Sequence, residues 1–227
     1  MTASTRVRTL LLLGGNEWQQ GAAAADSWWL ARASRKVVTV VTTAAQDIPQ
    51  TQVAWAAAHF EGLGGAVEGC QIQTQADARD PGLLEQLKGA AAIYLCGGDP
   101  AAAGGVLAGS PAGAALQSAY RAGVPLAGSS AGAMILADDY LRPGASFALG
   151  GGLRLVQQVV VPHWNSAEGR WAEVAHELAR EHEVVGIDES TGLCWDGGKW
   201  VVRGPGRVVL LTATGEAEVG GAAPPRP

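Results

Sequence analysis

Charge is scarce in this chain. Only 16% of its 227 residues are Asp, Glu, Lys or Arg, and the formal net charge is −5. That balance argues against general affinity for nucleic acid or for acidic membrane surfaces, both of which need dense positive charge. Cysteine is nearly absent: Cys70, Cys96 and Cys194 are odd in number and widely spaced. They form neither a disulfide framework nor a zinc pattern, and they suit a reducing cytoplasm. His59, His163, His176 and His182 show no metal-ligand spacing, so no metal or other cofactor is expected. Long apolar runs are missing as well, since none approaches the roughly 20 residues that a membrane-spanning helix needs. The start "TRVRTLLLL" has the look of a weak signal sequence, but Gly14-Gly15-Asn16-Glu17-Trp18 cuts it short, and a first buried strand is the better reading.

What the chain does have is core. With 48% hydrophobic residues it can bury a sizeable interior as one α/β domain. Apolar runs without alternation fall at Val7–Leu13, Lys36–Thr42, Val67–Thr74, Ala91–Cys96 and Pro125–Gly128. Between them lie helical patterns at Glu17–Ala33, Gln50–Leu63, Pro81–Lys88 and two Ala/Gly-rich stretches within 99–122. Such a rhythm predicts a mostly parallel, doubly wound sheet covered on both faces. Further on, Val156–Val161 and Val184–Ile187 read as strands around a helix at Ala167–Arg180. Gly192–Trp195, Lys199–Val202 and Arg207–Thr212 read as a closing antiparallel meander. Residues 1–213 thus form one domain, and the Gly- and Pro-rich segment 214–227 reads as a flexible tail.

Three glycine-rich loops, "GGNEW", "CGGDP" and "GSSAGA", would follow strands one, four and five at the same rim, where open α/β sheets bind ligands. The third matches G-x-S-x-G, the strand-to-helix turn that exposes a nucleophile, with Ser130 at its centre. Gly128 and Gly132 would relieve crowding between strand and helix, Ala131 offers an N–H to an oxyanion, and Ser129 points elsewhere. A serine nucleophile needs a base. His59, His176 and His182 read as helix or surface residues, whereas His163 ends a β run in "VPHWNS" and is the histidine that position recommends. Gly97-Gly98-Asp99 supplies a second backbone donor, or a helix cap through Asp99. The orienting acid stays open among Glu189, Asp138 and Asp139.

"CGGDP", "GSSAGAM", "VPHW" and "GIDEST", in this order, resemble the serine peptidase family of aspartyl dipeptidase (peptidase E) and cyanophycinase. The resemblance covers roughly residues 8–212. It implies a class I glutamine amidotransferase-like fold, a three-layer α/β/α domain with antiparallel strands near the C-terminus. It also implies Ser130 as nucleophile, His163 as base, and the Gly98 and Ala131 N–H groups as oxyanion hole. Aspartyl dipeptidases carry their acid in the loop beyond the serine, but "YLRPGASFALGGG" holds no carboxylate, which ranks Glu189 above Asp138 and Asp139. An aspartyl substrate needs a cation, for which Arg170 and Arg142 are candidates, with Asp99 as a further contact. Trp18 and Trp164 would wall a narrow pocket.

The resulting expectation is a cytoplasmic serine exopeptidase for short peptides, with a second copy of the chain as a candidate partner. A non-catalytic binding relative and an α/β-hydrolase-type esterase are the alternatives. The esterase is disfavoured because its acid and histidine would come late in the chain.

Overall fold

The computed structural model describes residues 7–142, 148–166 and 170–219. Its first strand, β1 (Leu10–Leu13), is four leucines, all fully buried. A strand with no polar face is stable only where both faces are covered, and the two faces here lead into different cores. Leu10 and Leu12 pack with Leu87, Leu107, Leu116 and Ile135, whereas Leu11 and Leu13 pack with Trp29, Phe60 and Tyr94.

From β1 the chain runs through α1 (Ala23–Leu30), β2 (Val37–Val41), α2 (Pro49–Gly62), β3 (Ala66–Cys70) and α3 (Pro81–Gly89). It continues through β4 (Ile93–Leu95), α4 (Pro100–Leu107), α5 (Pro111–Arg121) and β5 (Leu126–Ser129). The five strands are parallel in the order β1-β5-β4-β2-β3. Helices α1 and α2 cover one face, and α3, α4 and α5 the other. Helix starts are chemically marked. α2 to α5 each begin with Pro, and the side chains of Asp80, Asp99 and Ser110 accept backbone N–H bonds at α3, α4 and α5.

Beyond β5 come α6 (Ala131–Ile135), the hairpin of β6 (Asp139–Arg142) and β7 (Ala148–Gly151), then β8 (Val159–Val161), α7 (Arg170–Leu178) and β9 (Val184–Ile187). The last strands are β10 (Gly192–Trp195), β11 (Trp200–Arg203), β12 (Val208–Thr212) and β13 (Gly215–Glu218). The architecture is the expected mixed α/β fold with a large, mostly parallel central sheet.

Three expectations need correction. The helix expected over 17–33 starts only at Ala23, after a 3₁₀ turn at Gln20–Ala22, and Glu17 lies in a loop instead. Positive φ at Gly15, Asn16 and Trp18 breaks the helical path there. The closing meander is split. β10 and β11 extend the main sheet beside β1, while β12 joins a second sheet in the order β13-β12-β9-β8. Val209 and Leu211 pack there with Val159, Val161 and Val184, under Ala175 of α7, and that apolar face draws β12 away from the hairpin. Finally, the segment expected to be a tail from residue 214 contributes β13, which pairs antiparallel with β12, and Val219 is buried. Residues 220–227 lie outside the described part.

Candidate active site

Strand β5 ends at Ser129 and α6 begins at Ala131, so a single residue, Ser130, makes the turn. Its backbone has φ +48° and ψ −117°, a region that non-glycine residues avoid at a cost of about 1–3 kcal/mol. A Cβ on Gly128 would lie 2.4 Å from the Gly132 carbonyl oxygen, and one on Gly132 would lie 2.2 Å from the Leu95 carbonyl oxygen. Glycine at both positions is therefore required by contact. At this turn Ser130 is half-buried while Ser129 is fully buried.

Ser130 Oγ lies 2.9 Å from His163 Nε2, and His163 Nδ1 lies 2.8 Å from Glu189 Oε1. With a carboxylate at Nδ1, that nitrogen carries the proton and Nε2 is left to accept from the serine hydroxyl. Glu189 is held in turn. Asn16 Nδ2 donates to its Oε2 at 3.0 Å, Ser166 Oγ donates to Oε1 at 3.3 Å, and its backbone N–H donates to Asn165 at 2.9 Å. The hydrogen bond from His163, more than any other contact, holds the Glu189 carboxyl below the usual glutamate range.

Backbone strain is concentrated at this site. Among the described residues, the non-glycines with positive φ are Asn16, Trp18, Ser130, Arg154, His163 and Ser190, and all but Arg154 belong to the loops just named. Gly15, at φ +119°, lies under the imidazole, where an added Cβ would be 2.2 Å from His163 Cε1. The loop after β4 completes the constellation. Cys96 N–H donates to Val41 O and Asp99 N–H to Ala44 O, whereas neither the Gly98 N–H nor the Ala131 N–H has a protein acceptor among the described residues.

Two cavities flank the serine. One, of about 660 Å³, is lined on the α2 side by Glu17, Trp18, Gln52, Trp55 and His59, together with Ser130 and His163. The other, of about 300 Å³, is lined by Gly98, Pro100, Ala131, Met134, Pro162 and Trp171 beside the same pair. A larger cavity, of about 820 Å³, lies at the opposite rim beside Thr9, Ala91 and Pro125, which precede β1, β4 and β5. Among the described residues no group of three or more His, Cys, Asp or Glu side chains could hold a metal ion.

The structure thus brings Ser130, His163, Glu189, Gly98 and Ala131 together, and leaves other candidates elsewhere. Asp138 lines a separate cavity with Arg8, Tyr120 and Arg121. Arg8 precedes β1, so Asp138 sits toward the rim opposite the serine, and the carboxylate at His163 Nδ1 is that of Glu189 instead. Asp139 begins β6 and makes no hydrogen bond to His163. Asp99 caps α4, accepting from Ala101 N–H at 2.8 Å, and lines neither flanking cavity. The Arg170 side chain lies outside the described residues. Trp164 is not a pocket wall: its indole stacks on His176 and covers Gly186, and Trp55 and Trp171 line the cavities in its place. His59 is not a surface helix residue. Its Nε2 lies 2.8 Å from Oδ2 of the fully buried Asp26, and burial pushes the Asp26 carboxyl above the usual aspartate range.

Sequence reasoning gave no role to Asn16 and Glu17. Glu17 Oε1 accepts from Gly97 N–H at 2.8 Å, and Oε2 accepts from Ser129 Oγ at 2.7 Å. The available signal was "GGNEW" itself: two polar residues after a glycine pair, at the rim that also carries the serine.

A search of curated proteins gives no match. Among solved structures, a peptidase from an acI-B1 Actinobacterium superposes with a TM-score of 0.83 at 24% identity, covering 98% of both chains. A candidate peptidase E from Listeria monocytogenes EGD-e superposes with a TM-score of 0.66 at 18% identity, covering 88% of this chain and 100% of that one. At such identities the likeness shows the fold. The sequence profile of peptidase family S51 matches residues 10–202, most of the chain and all three rim loops, and on that match this chain is a member of peptidase family S51.

Proposed function

We propose that the protein is a serine exopeptidase that hydrolyses short peptides through an acyl-enzyme. The observation that carries this reading is the unbroken chain Ser130 Oγ, His163 Nε2, His163 Nδ1, Glu189 Oε1, with contacts of 2.9 and 2.8 Å at a strained turn. His163 takes the Ser130 proton as the hydroxyl attacks the scissile carbonyl, and Glu189 stabilises the imidazolium that forms. The carbonyl oxygen, now an oxyanion, takes the two uncommitted donors, Gly98 N–H and Ala131 N–H. The protonated imidazole then gives its proton to the leaving amine. Water, deprotonated by the same histidine, releases the acyl group.

Cavities of about 660 and 300 Å³ on either side of the serine suit a few residues of peptide. Aspartyl specificity would require a cation near the serine. The described residues lining both cavities include no Lys or Arg, so Asp-Xaa peptides stand on an equal footing with neutral ones.

The test is a panel of free and end-blocked short peptides, Asp-Xaa included, incubated with the wild type and with Ser130→Ala, with products identified by mass. Cleavage of unblocked peptides by the wild type alone is expected. Turnover that survives in Ser130→Ala would remove the assignment, and no turnover of any peptide would favour a binding role.

A further inference from the structure

The four consecutive N–H groups that follow β4 divide sharply. Cys96 donates to Val41 O at 3.2 Å, Gly97 to the Glu17 carboxylate at 2.8 Å, and Asp99 to Ala44 O at 2.8 Å, while Gly98 finds no acceptor among the described residues. Three of the four are pinned, and the fourth borders both cavities beside Ser130. Two of the three pins are backbone carbonyls of the neighbouring β2 edge and the loop after it. The third is a side chain from another loop. Its other oxygen accepts from Ser129, the residue before the nucleophile. A Cβ built on Gly97 would meet Glu17 Oε1 at 2.5 Å and Ser130 Cβ at 3.2 Å, so carboxylate, glycine loop and serine turn are in mutual contact. No Lys or Arg forms an ion pair with Glu17 among the described residues, and its carboxylate is half buried.

From this arrangement we infer that Glu17 is a positioning residue: it fixes the Cys96–Gly97 peptide and ties it to the serine turn, so that, with the Gly98–Asp99 peptide pinned on the other side by Ala44, the Gly98 N–H between them is aimed before substrate arrives. The inference rests on the peptidase reading for its catalytic consequence, but not for its structural one. Gly98 has φ +139°, and glycine pairs have wide conformational freedom. With the Gly97 N–H released, the peptide that carries the Gly98 N–H keeps only one of the two anchored peptides that flank it, on the Asp99 side. A donor displaced by about 1 Å can cost on the order of a hundredfold in rate.

The experiment compares wild type, Glu17→Ala and Glu17→Gln, with Ser130→Ala as the background control. Peptide turnover and Gly97 amide exchange by NMR are both measured. Glutamine keeps the geometry: its carbonyl oxygen accepts from Gly97 N–H, and its amide donates to Ser129 Oγ. Glu17→Ala is expected to lower kcat by about a hundredfold with KM nearly unchanged, and to speed Gly97 exchange. Glu17→Gln is expected to return kcat to within about tenfold of wild type and to restore protection. The inference is overturned if Glu17→Ala keeps both kcat and Gly97 protection. It is also overturned if Glu17→Gln fails as badly as Glu17→Ala through a raised KM for peptides with a free amino end, because the charge would then be contacting substrate. A wild type that cleaves no peptide refutes the peptidase reading, and Gly97 exchange alone then decides the positioning role.

Discussion

Glu189 and Asp138 are both carboxylates that could serve a histidine, and their surroundings separate them. Glu189 accepts from His163, Asn16 and Ser166, and those bonds favour its charged form, so its pKa lies below the usual value. The linked sign follows: the pairing contributes above the unfolded-state pKa and is lost only as pH falls through the lower folded one. Glu189 is therefore charged to a greater extent than an ordinary glutamate at the same acidic pH. Glu189→Gln puts an amide against Nδ1, which weakens tautomer control and removes the counter-charge for the imidazolium. A fall in kcat on the order of 10⁴ is expected by analogy with the aspartate of Ser-His-Asp enzymes. Asp138→Asn, at the opposite rim, should turn over like wild type. Equal losses in the two variants, measured on any peptide that the panel shows to be cleaved, would break this assignment of the acid. Ser130 and His163 were legible in the sequence because each sits at a strand end in a recognisable context. The acid was only ranked, since nothing local to "GIDEST" shows that β9 delivers Glu189 beside His163. Glu17 was hidden by its helical-looking neighbours.

Among the elements, glycine shows how closely the strand-turn-helix units are built. Gly132 in α6 lies against the Leu95 carbonyl of β4, where a Cβ would approach to 2.2 Å. The contact is with backbone, which cannot swing aside. Gly132→Ala is expected to destabilise by about 1–3 kcal/mol, read as a lower denaturant midpoint. Gly105 is the counterexample. It lies inside α4, is exposed, and has open space where a Cβ would stand. Gly105→Ala should stabilise by about 0.4–1 kcal/mol, through the unfolded chain's lost freedom and the better helix propensity. A loss of stability in Gly105→Ala would mean that α4 is not a regular helix there. The same distinction marks what the sequence could reveal of the fold. The parallel strands were legible because they are unbroken apolar runs that need cover on both faces. The departure of β12 to a second sheet was not, because its pattern "VVLLT" suits either partner. Only the apolar face offered by β8, β9 and α7 decides it.

At the scale of the molecule, one loop joins the parts. Leu13 O accepts from Ser130 N–H, Gly14 O from His163 N–H and Gly15 O from Ser190 N–H, while Asn16 and Glu17 reach Glu189 and Gly97. The loop continues into Trp18, whose indole N–H donates to Gln52 of α2 and whose ring meets His59 edge-on. There the site runs into the core. His59 of α2 is paired with Asp26 of α1, so the helix layer on this face is pinned by a buried polar contact beside the cavity of about 660 Å³ next to the serine. Desolvation dominates at Asp26 and raises its pKa despite the histidine. In the window above the usual aspartate pKa the folded state then holds a proton at Asp26 that the unfolded state has released. Stability is fully favoured below that window and falls as pH rises through the raised folded pKa. Asp26→Asn keeps an acceptor for His59 Nε2–H and cannot ionise. The stability of wild type minus that of Asp26→Asn, from urea midpoints across a pH series, should decline with rising pH through this window. A flat difference would mean that Asp26 titrates alike in both states. A difference that rises with pH would mean that the ion pair outweighs burial, and that α1 and α2 are held together by charge.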